Sequence, residues 1–380
     1  MLDLSERELE LPKSTIAKLL KIAVEDKKII SLGPGEPDFK ASRPIVQFTK
    51  QFANKCNHYS PPGGRKELKE AIIKKLKKDN KIYAKPENIV VTCGSQEALL
   101  LASMCTLDVN DKVILPNPSF MGYLPMFELL NVKPISVKLK EENKFEIDPD
   151  DVKKKISKKT EVLLLNTPAN PTGNVIRKKI LEEIADIAVD NNLYIFCDEA
   201  YEKIVYDAKH ISIGSLNGMK DYVVTLQTFS KSYAMCGYRL GYAVAPANLA
   251  KAMTKIHIYS TLSAPTISQM VGAKALSLSS KYINKMVKEY RRRRDLLVNG
   301  LNDLGLNTVK TEGAFYGFAN ISKYSKNSWN FAKKLLDKAK VAVVPGSDFG
   351  CYGEGYIRCS YATDYELIKR ALVRMEKFLK

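Results

Sequence analysis

Lys231 stands in the stretch TFSKSYAMCGYRLGY, flanked by Thr228, Ser230 and Ser232, with Arg239 eight residues on. A lysine acts as a nucleophile only when desolvation or a neighbouring cation lowers its pKa. The hydroxyls and the guanidinium together suit a phosphate group. A lysine beside a phosphate cradle points to a phosphorylated aldehyde cofactor held as a Schiff base. The competing reading is a surface lysine in a serine-rich loop.

Four further stretches carry chemistry. Asp198 closes the apolar run LYIFCDEAY, where an unpaired carboxylate is costly. Ligands of open α/β sheets lie at the carboxyl ends of strands, so Asp198 suits a cofactor ring nitrogen, and Tyr201 can join it. A helix N-cap is the plainer role for Asp198. In NTPANPTG (166–173) two prolines stiffen the turn around Asn170, whose amide both donates and accepts; a simple stiff turn reads equally well. In VVTCGSQEALLLA a strand runs through Gly94 into a helix starting near Ser95, which leaves backbone N–H groups for an anion. Arg358, in YIRCSYAT, must be paired within its apolar strand, by a ligand carboxylate or by an internal acid.

Positioning such residues requires a sheet. Runs rich in β-branched residues at 88–92, 112–115, 134–138, 161–165, 193–197, 222–227 and 240–245 predict strands buried on both faces. Helical patterns at 65–78, 95–107, 119–131 and 177–191 lie between most of them. The alternation predicts a mainly parallel seven-stranded α/β sheet between helices. From 281 the texture changes to a long charged helix (281–304), strand candidates at 306–310, 314–320, 341–344 and 355–360, and an amphipathic helix at 364–379. The expected organisation is an N-terminal segment (1–44) belonging to a small domain, a large cofactor-binding domain (45–280) and a smaller α+β domain (281–380).

Composition closes off other classes. The chain has 380 residues, 45% hydrophobic and 27% charged, which is ordinary for globular proteins and excludes disorder or a disulfide scaffold. No apolar run approaches the roughly 20 residues needed to span a bilayer, and MLDLSERELELPKS lacks the apolar stretch of a signal peptide. The net charge is +18, but Arg supplies only 12 of the 60 basic residues and Lys is spread along surface helices, which argues against nucleic acid. The run Arg291–Arg294 reads as a charged helix face. Seven cysteines without a CxxC pair and three histidines give no zinc spacing and fit reduced thiols in a cytoplasmic protein.

Taken together, the TFSK, NPTG and DEAY stretches, in this order and spacing, resemble the pyridoxal 5'-phosphate (PLP) aminotransferases of fold type I, class I/II, the group that includes aspartate aminotransferase. The resemblance runs from LGPGEPDF near 32 to IRCSYAT near 358. It implies that Lys231 forms the Schiff base and shuttles the proton between substrate and cofactor carbons. Asp198 would pair with the ring nitrogen. Tyr201 and Asn170 would bond the ring's phenolate oxygen. Ser95, Ser230, Arg239 and the backbone of Gly94–Gln96 would bind the phosphate, with Thr228 where members often carry a serine. Phe120 would stack on the ring. Tyr59, in NHYSPPGGR, resembles the tyrosine that reaches the phosphate of the partner subunit, which implies a homodimer with shared sites. Gly35 would approach the substrate carboxylate and Arg358 would clamp it.

The resemblance implies an amino acid donor and a 2-oxo acid acceptor such as 2-oxoglutarate. Some bacterial aspartate enzymes carry a lysine for the distal carboxylate where this chain has Gln96, so an aspartate, aromatic or broad range of donors stays open. Gln96, Phe120, Tyr123 and Phe39 equally suit an aromatic or a broad-range substrate. The alternative chemistry is a C–S β-lyase of the same fold. A non-catalytic regulator is disfavoured, because residues before Ser31 are too few for a winged-helix module.

Overall fold

The computed structural model describes Ser5, Leu9, Leu11, Asp26 and residues 28–380. All but three residues of MLDLSERELELPKS, and most of the expected segment 1–44 up to Lys27, therefore lie outside the described residues. β1 (Ile30–Ser31) is followed by seven strands that build the main sheet: β2 (Ile89–Thr92), β3 (Lys112–Asn117), β4 (Lys133–Lys138), β5 (Thr160–Asn166), β6 (Tyr194–Asp198), β7 (Val223–Thr228) and β8 (Gly241–Val244). Their spatial order is β2-β8-β7-β6-β5-β3-β4. β3, β4, β5, β6 and β7 pair in parallel, and β8 runs antiparallel to both of its neighbours. This is the mainly parallel seven-stranded sheet that the apolar runs predict.

Period two explains how both faces are buried. Val162, Leu164, Phe196, Val224 and Leu226 pack with Ala98, Leu101 and Met253 of helices Ser95–Thr106 and Ala247–Ser260. The alternate residues Leu163, Leu165, Ile195 and Cys197 pack with Leu181, Ile184 and Ala188 of helix Lys178–Asp190. At the β2–β8 end, Val91 and Tyr242 meet Leu68, Ile72 and Val271 of helices Lys66–Lys75 and Thr266–Ser277.

The C-terminal third adds β9 (Tyr316–Asn320), β10 (Val341–Ala342), β11 (Val344–Pro345) and β12 (Tyr356–Ser360). β11, β12 and β9 form an antiparallel sheet, while β10 pairs in parallel with β1. Tyr290, Leu297 and Leu301 of helix Lys281–Asp303 share one core with Phe315, Tyr316, Ile357, Ile368 and Met375, and Tyr201 and Ile204 pack into it.

Three expectations need correction. The strand at 306–310 reduces to one bridge, Thr308 with Ala319. Asn302 takes the backbone of Thr308 instead, accepting its N–H at 2.8 Å and donating to its carbonyl at 3.1 Å. Arg291–Arg294 is only half a solvated face. Arg293 and Arg294 are buried, the first on Asp38 and Glu289, the second on Asp207 and Asp295. The helices Arg43–Phe52, Ala247–Ser260 and Thr266–Ser277 were not anticipated. All seven cysteines are free thiols, with Cys351 exposed. Among the described residues no helix is long and apolar enough to cross a membrane.

Candidate active site

Asn166, Asp198 and Thr228 end the adjacent strands β5, β6 and β7, so three polar side chains emerge at one edge of the sheet. There they open onto a cavity of about 180 Å³ lined by Gly94, Ser95, Gln96, Phe120, Tyr123, Asn166, Asn170, Asp198, Ala200, Tyr201, Thr228, Ser230, Lys231 and Arg239. Gly35 and Arg358 each stand one hydrogen bond from that lining. Lys231 Nζ donates to the Gly35 carbonyl at 2.5 Å, and Arg358 Nη1 donates to Asn170 Oδ1 at 3.0 Å. Tyr59 is not in this chain's cavity; it is 82% exposed on the surface.

One end of the cavity is built for an anion. Helix Ser95–Thr106 begins after Gly94, whose φ of 101° only glycine adopts freely. A Cβ at Gly94 would lie 2.9 Å from Arg239 Nη2, so the missing side chain is what lets the guanidinium in. Arg239 is held by the carbonyls of Cys236 and Cys93, both at 3.2 Å. Ser230 Oγ and Thr228 Oγ1 lie 3.0 Å apart beside it. Hydroxyls, a guanidinium and a helix N-terminus thus converge.

The deep wall carries the carboxylate. Asp198 Oδ2 accepts from the Tyr123 hydroxyl at 2.7 Å, and Oδ1 from the Ala200 N–H at 3.0 Å. Burial pushes the Asp198 carboxyl up, and the two bonds oppose that shift without cancelling it. A cationic ring nitrogen brought to this carboxylate would reverse the balance. Asn166 fixes the neighbourhood: its amide donates to the Asp198 carbonyl at 3.0 Å and its oxygen accepts the Asn170 N–H at 2.8 Å. Tyr123 lines the cavity and its hydroxyl serves Asp198. Phe120 forms the adjoining wall, edge-on to Tyr123 at 5.3 Å. Phe39 packs edge-on to Tyr290 and beneath Arg293, away from the cavity lining.

Two tyrosines bridge the halves of the site. The Tyr201 and Tyr316 hydroxyls are 2.7 Å apart, and burial holds the Tyr201 phenol well above its ordinary range. Lys231 Nζ faces the Tyr201 ring at 5.7 Å. The Tyr316 ring lies under the Arg358 guanidinium at 4.3 Å, with Phe349 at 4.9 Å. A Cβ at Gly35 would meet the Tyr316 hydroxyl at 2.8 Å, so glycine permits this closeness. Asn166 is legible in the sequence as a polar residue ending an apolar strand, like Asp198. Tyr316 gave no signal, because its partner is 115 positions away.

The residues present fit pyridoxal 5'-phosphate. There is a cradle for the phosphate, an aromatic wall for the ring, a buried carboxylate for the ring nitrogen, hydroxyl and amide donors for the ring oxygen, and an amine for the aldehyde. A lysine, an anion cradle and a buried carboxylate at the strand ends of an α/β sheet define an enzyme of phosphorylated-aldehyde chemistry. The chain belongs to the class I and II aminotransferases, which are PLP-dependent: the family model "Aminotransferase class I and II" matches residues 27–375. It is 45% identical to an aspartate aminotransferase of Pyrococcus abyssi over 97% of this chain and 96% of that one. It is 44% identical to aromatic-amino-acid aminotransferase 2 of Thermococcus litoralis over 99% and 98%. The structure of Thermus thermophilus aspartate aminotransferase with maleate superposes with a TM-score of 0.95 at 34% identity, covering all of both chains. The chain is an amino acid transaminase, and the lyase alternative falls away.

Proposed function

We propose that this aminotransferase accepts both aspartate and aromatic amino acids as donors, with 2-oxoglutarate as acceptor. Arg358 carries the reading. It is 1% exposed, its guanidinium donates to the neutral oxygens of Asn170 and Gly33, its Nε has no hydrogen-bond partner, and Asp348 is the acid whose charge acts on it. A buried cation whose hydrogen bonds go only to neutral oxygens calls for a carboxylate to bond, and the shared carboxylate of amino and 2-oxo acids supplies it. At the other end of the substrate, Gln96 is exposed and neutral, so it neither demands a distal carboxylate nor repels a ring. The relatives of nearly equal identity are named for aspartate and for aromatic amino acids, which agrees with a site that takes both.

When bound, PLP supplies the aldehyde that takes the amino group and the ring that spreads the charge left on the α-carbon. The chain's residues do the rest. Lys231 holds the aldehyde until substrate arrives and then moves the proton at the α-carbon. Asp198, fixed by Tyr123 and Ala200, keeps a proton on the ring nitrogen. Tyr201 and Asn170 donate toward the ring oxygen. Phe120 covers the ring face. Ser95, Thr228, Ser230, Arg239 and the amides at Gly94–Gln96 anchor the phosphate. Gly35 gives the substrate carboxylate room against Arg358.

The reading includes a homodimer in which Tyr59 of each subunit serves the other's phosphate; its exposure here supports that role. It also includes the two-domain division at 45–280 and 281–380 and a cytoplasmic location, in keeping with seven free thiols. Subcellular fractionation tests the last point, and limited proteolysis near 280 tests the division. Mixing Lys231→Ala subunits with subunits disabled at Tyr59 should restore activity, since a hybrid dimer holds one intact site; no restoration contradicts shared sites. The donor range is tested by an amino-donor panel with 2-oxoglutarate, read as glutamate formed. Comparable use of aspartate and phenylalanine is expected, and strict use of either one overturns the broad reading.

A further inference from the structure

The phosphate turn is tied to something outside the cavity. Gly94 cannot cap helix Ser95–Thr106 with a side chain, and Glu97 in the first turn reaches back in its place. Its Oε2 accepts the Cys93 N–H at 2.5 Å and its Oε1 accepts the Thr261 hydroxyl at 2.8 Å. The amides of Ser95 and Gln96, which helix geometry leaves without an intrahelical acceptor, remain for an anion. Burial pushes the Glu97 carboxyl up, but the bonds from His257, the Cys93 amide and Thr261 outweigh it and hold it down at about 2.

His257 completes the tie. It lies on helix Ala247–Ser260 with its side chain wholly buried, Nε2 3.4 Å from Glu97 Oε2. Its Nδ1 is 2.9 Å from the Pro62 carbonyl. A carbonyl only accepts, so Nδ1 donates to Pro62; Nε2 makes no hydrogen bond and meets the Glu97 carboxylate at ion-pair distance, an attraction that requires a proton on this nitrogen as well. Pro62 belongs to HYSPPGGR, three residues after Tyr59. That loop is pinned elsewhere by Ser60 on Thr266 and by Thr266 on the His58 carbonyl. A core position that needed only bulk would carry an aliphatic residue, because burying an imidazole costs free energy that the Pro62 bond and the Glu97 contact must offset.

We propose that His257 is a positioning residue that couples the phosphate-binding turn Cys93–Ser95 to the loop His58–Gly63, so that phosphate anchoring and the placement of Tyr59 depend on each other. This rests on the reading of both segments given above as phosphate contacts. Glu97 fixes the turn, His257 fixes Glu97 and Pro62 together, and Tyr59 moves with Pro62.

The test strips the protein of cofactor and titrates it with PLP and, separately, with pyridoxal, which lacks the phosphate. His257→Phe should weaken PLP binding about tenfold or more, the size of one charge-assisted bond, and leave pyridoxal within about twofold. His257→Gln, which can still donate to Glu97, and His257→Asn, which can still donate to Pro62, should each recover part of the loss. A Tyr59→Phe change should cost less in the His257→Phe background than in wild type. Equal loss for PLP and pyridoxal would mean a packing role and overturn the proposal, as would strictly additive effects of the two substitutions. If His257→Phe unfolds, the Gln and Asn variants decide: PLP affinity equal to wild type in both overturns the tie. Arg239→Gln separates the two levels. If it too leaves PLP binding unchanged, the phosphate assignment has failed; if it weakens binding while the His257 variants do not, only the tie has failed.

Discussion

Arg294 is wholly buried on helix Lys281–Asp303, and its guanidinium is fully occupied: Asp207 and Asp295 each accept at 2.7 Å and the Thr311 carbonyl at 3.0 Å. Arg358 is just as buried on β12, yet it meets an amide oxygen, the Gly33 carbonyl and two aromatic faces. Burial pulls its pKa down, although Tyr316, Tyr201 and the charge of Asp348 act the other way. The same contrast recurs one residue apart at the end of β6. Glu199 faces away from the cavity, where the Ser212 hydroxyl, the Gln227 amide and the Asn80 amide all bond its Oε2, and the ammonium of Lys75 neutralises the adjoining Glu202. Asp198 faces the cavity with two donors and room for a third. A buried charge whose partners are all internal holds the fold. One that opens onto the cavity with room for a further partner is reserved for a ligand.

Leucine at each arginine separates the two cases most widely. Arg358→Leu should lower kcat/KM by roughly 30- to 5000-fold for every donor, since a buried pair loses one member at about 2–5 kcal/mol. The unliganded protein should melt no lower than wild type. Arg294→Leu should do the reverse, costing about 2 kcal/mol of stability as its partly exposed acids rehydrate, with kcat/KM little changed. Steady-state kinetics with thermal melts decides between them; a large stability loss in Arg358→Leu breaks the comparison.

The carboxylates at 198 and 199 give the next largest effect. Asp198→Asn keeps the shape but loses the charge that holds the ring proton, so the rapid-mixing rate of amino transfer should fall by about 100-fold or more. Glu199→Gln removes the charge that gathers three donors on Oε2, away from the cavity. It should cost about 1–3 kcal/mol of stability and leave that rate within about threefold. Equal kinetic losses would show that the two faces of β6 are not functionally distinct.

Which residues the sequence alone exposes follows from where their partners lie. Asp198, Asn170 and Arg358 stand out because each is polar in a stretch that otherwise reads as strand or stiff turn, and Lys231 because hydroxyls and Arg239 flank it. The sheet is legible because parallel strands buried on both faces are continuous apolar runs. Arg294 is not legible as buried, since Asp207 lies 87 positions away. The Tyr201–Tyr316 contact and the Glu97–His257–Pro62 chain are hidden for the same reason. Tyr123 was visible, but its role depends on which way Asp198 turns, and that is a matter of packing.

The smallest effect concerns the exposed end of the site. Gln96→Lys should raise the aspartate-to-phenylalanine ratio of kcat/KM by about fivefold, the worth of a partly solvated ion pair of about 1 kcal/mol. An unchanged ratio would place distal recognition elsewhere, for instance on the partner chain.

The central claim is that Lys231 is the residue that holds the cofactor. Reducing the holoenzyme with borohydride fixes any lysine–cofactor linkage as a stable amine, and peptide mass spectrometry then locates it. A pyridoxyl-phosphate mass increment is expected on the peptide containing Lys231, absent after addition of excess amino donor and absent in Lys231→Ala. A label on another lysine, or none on Lys231 in protein that carries the yellow cofactor, would contradict it.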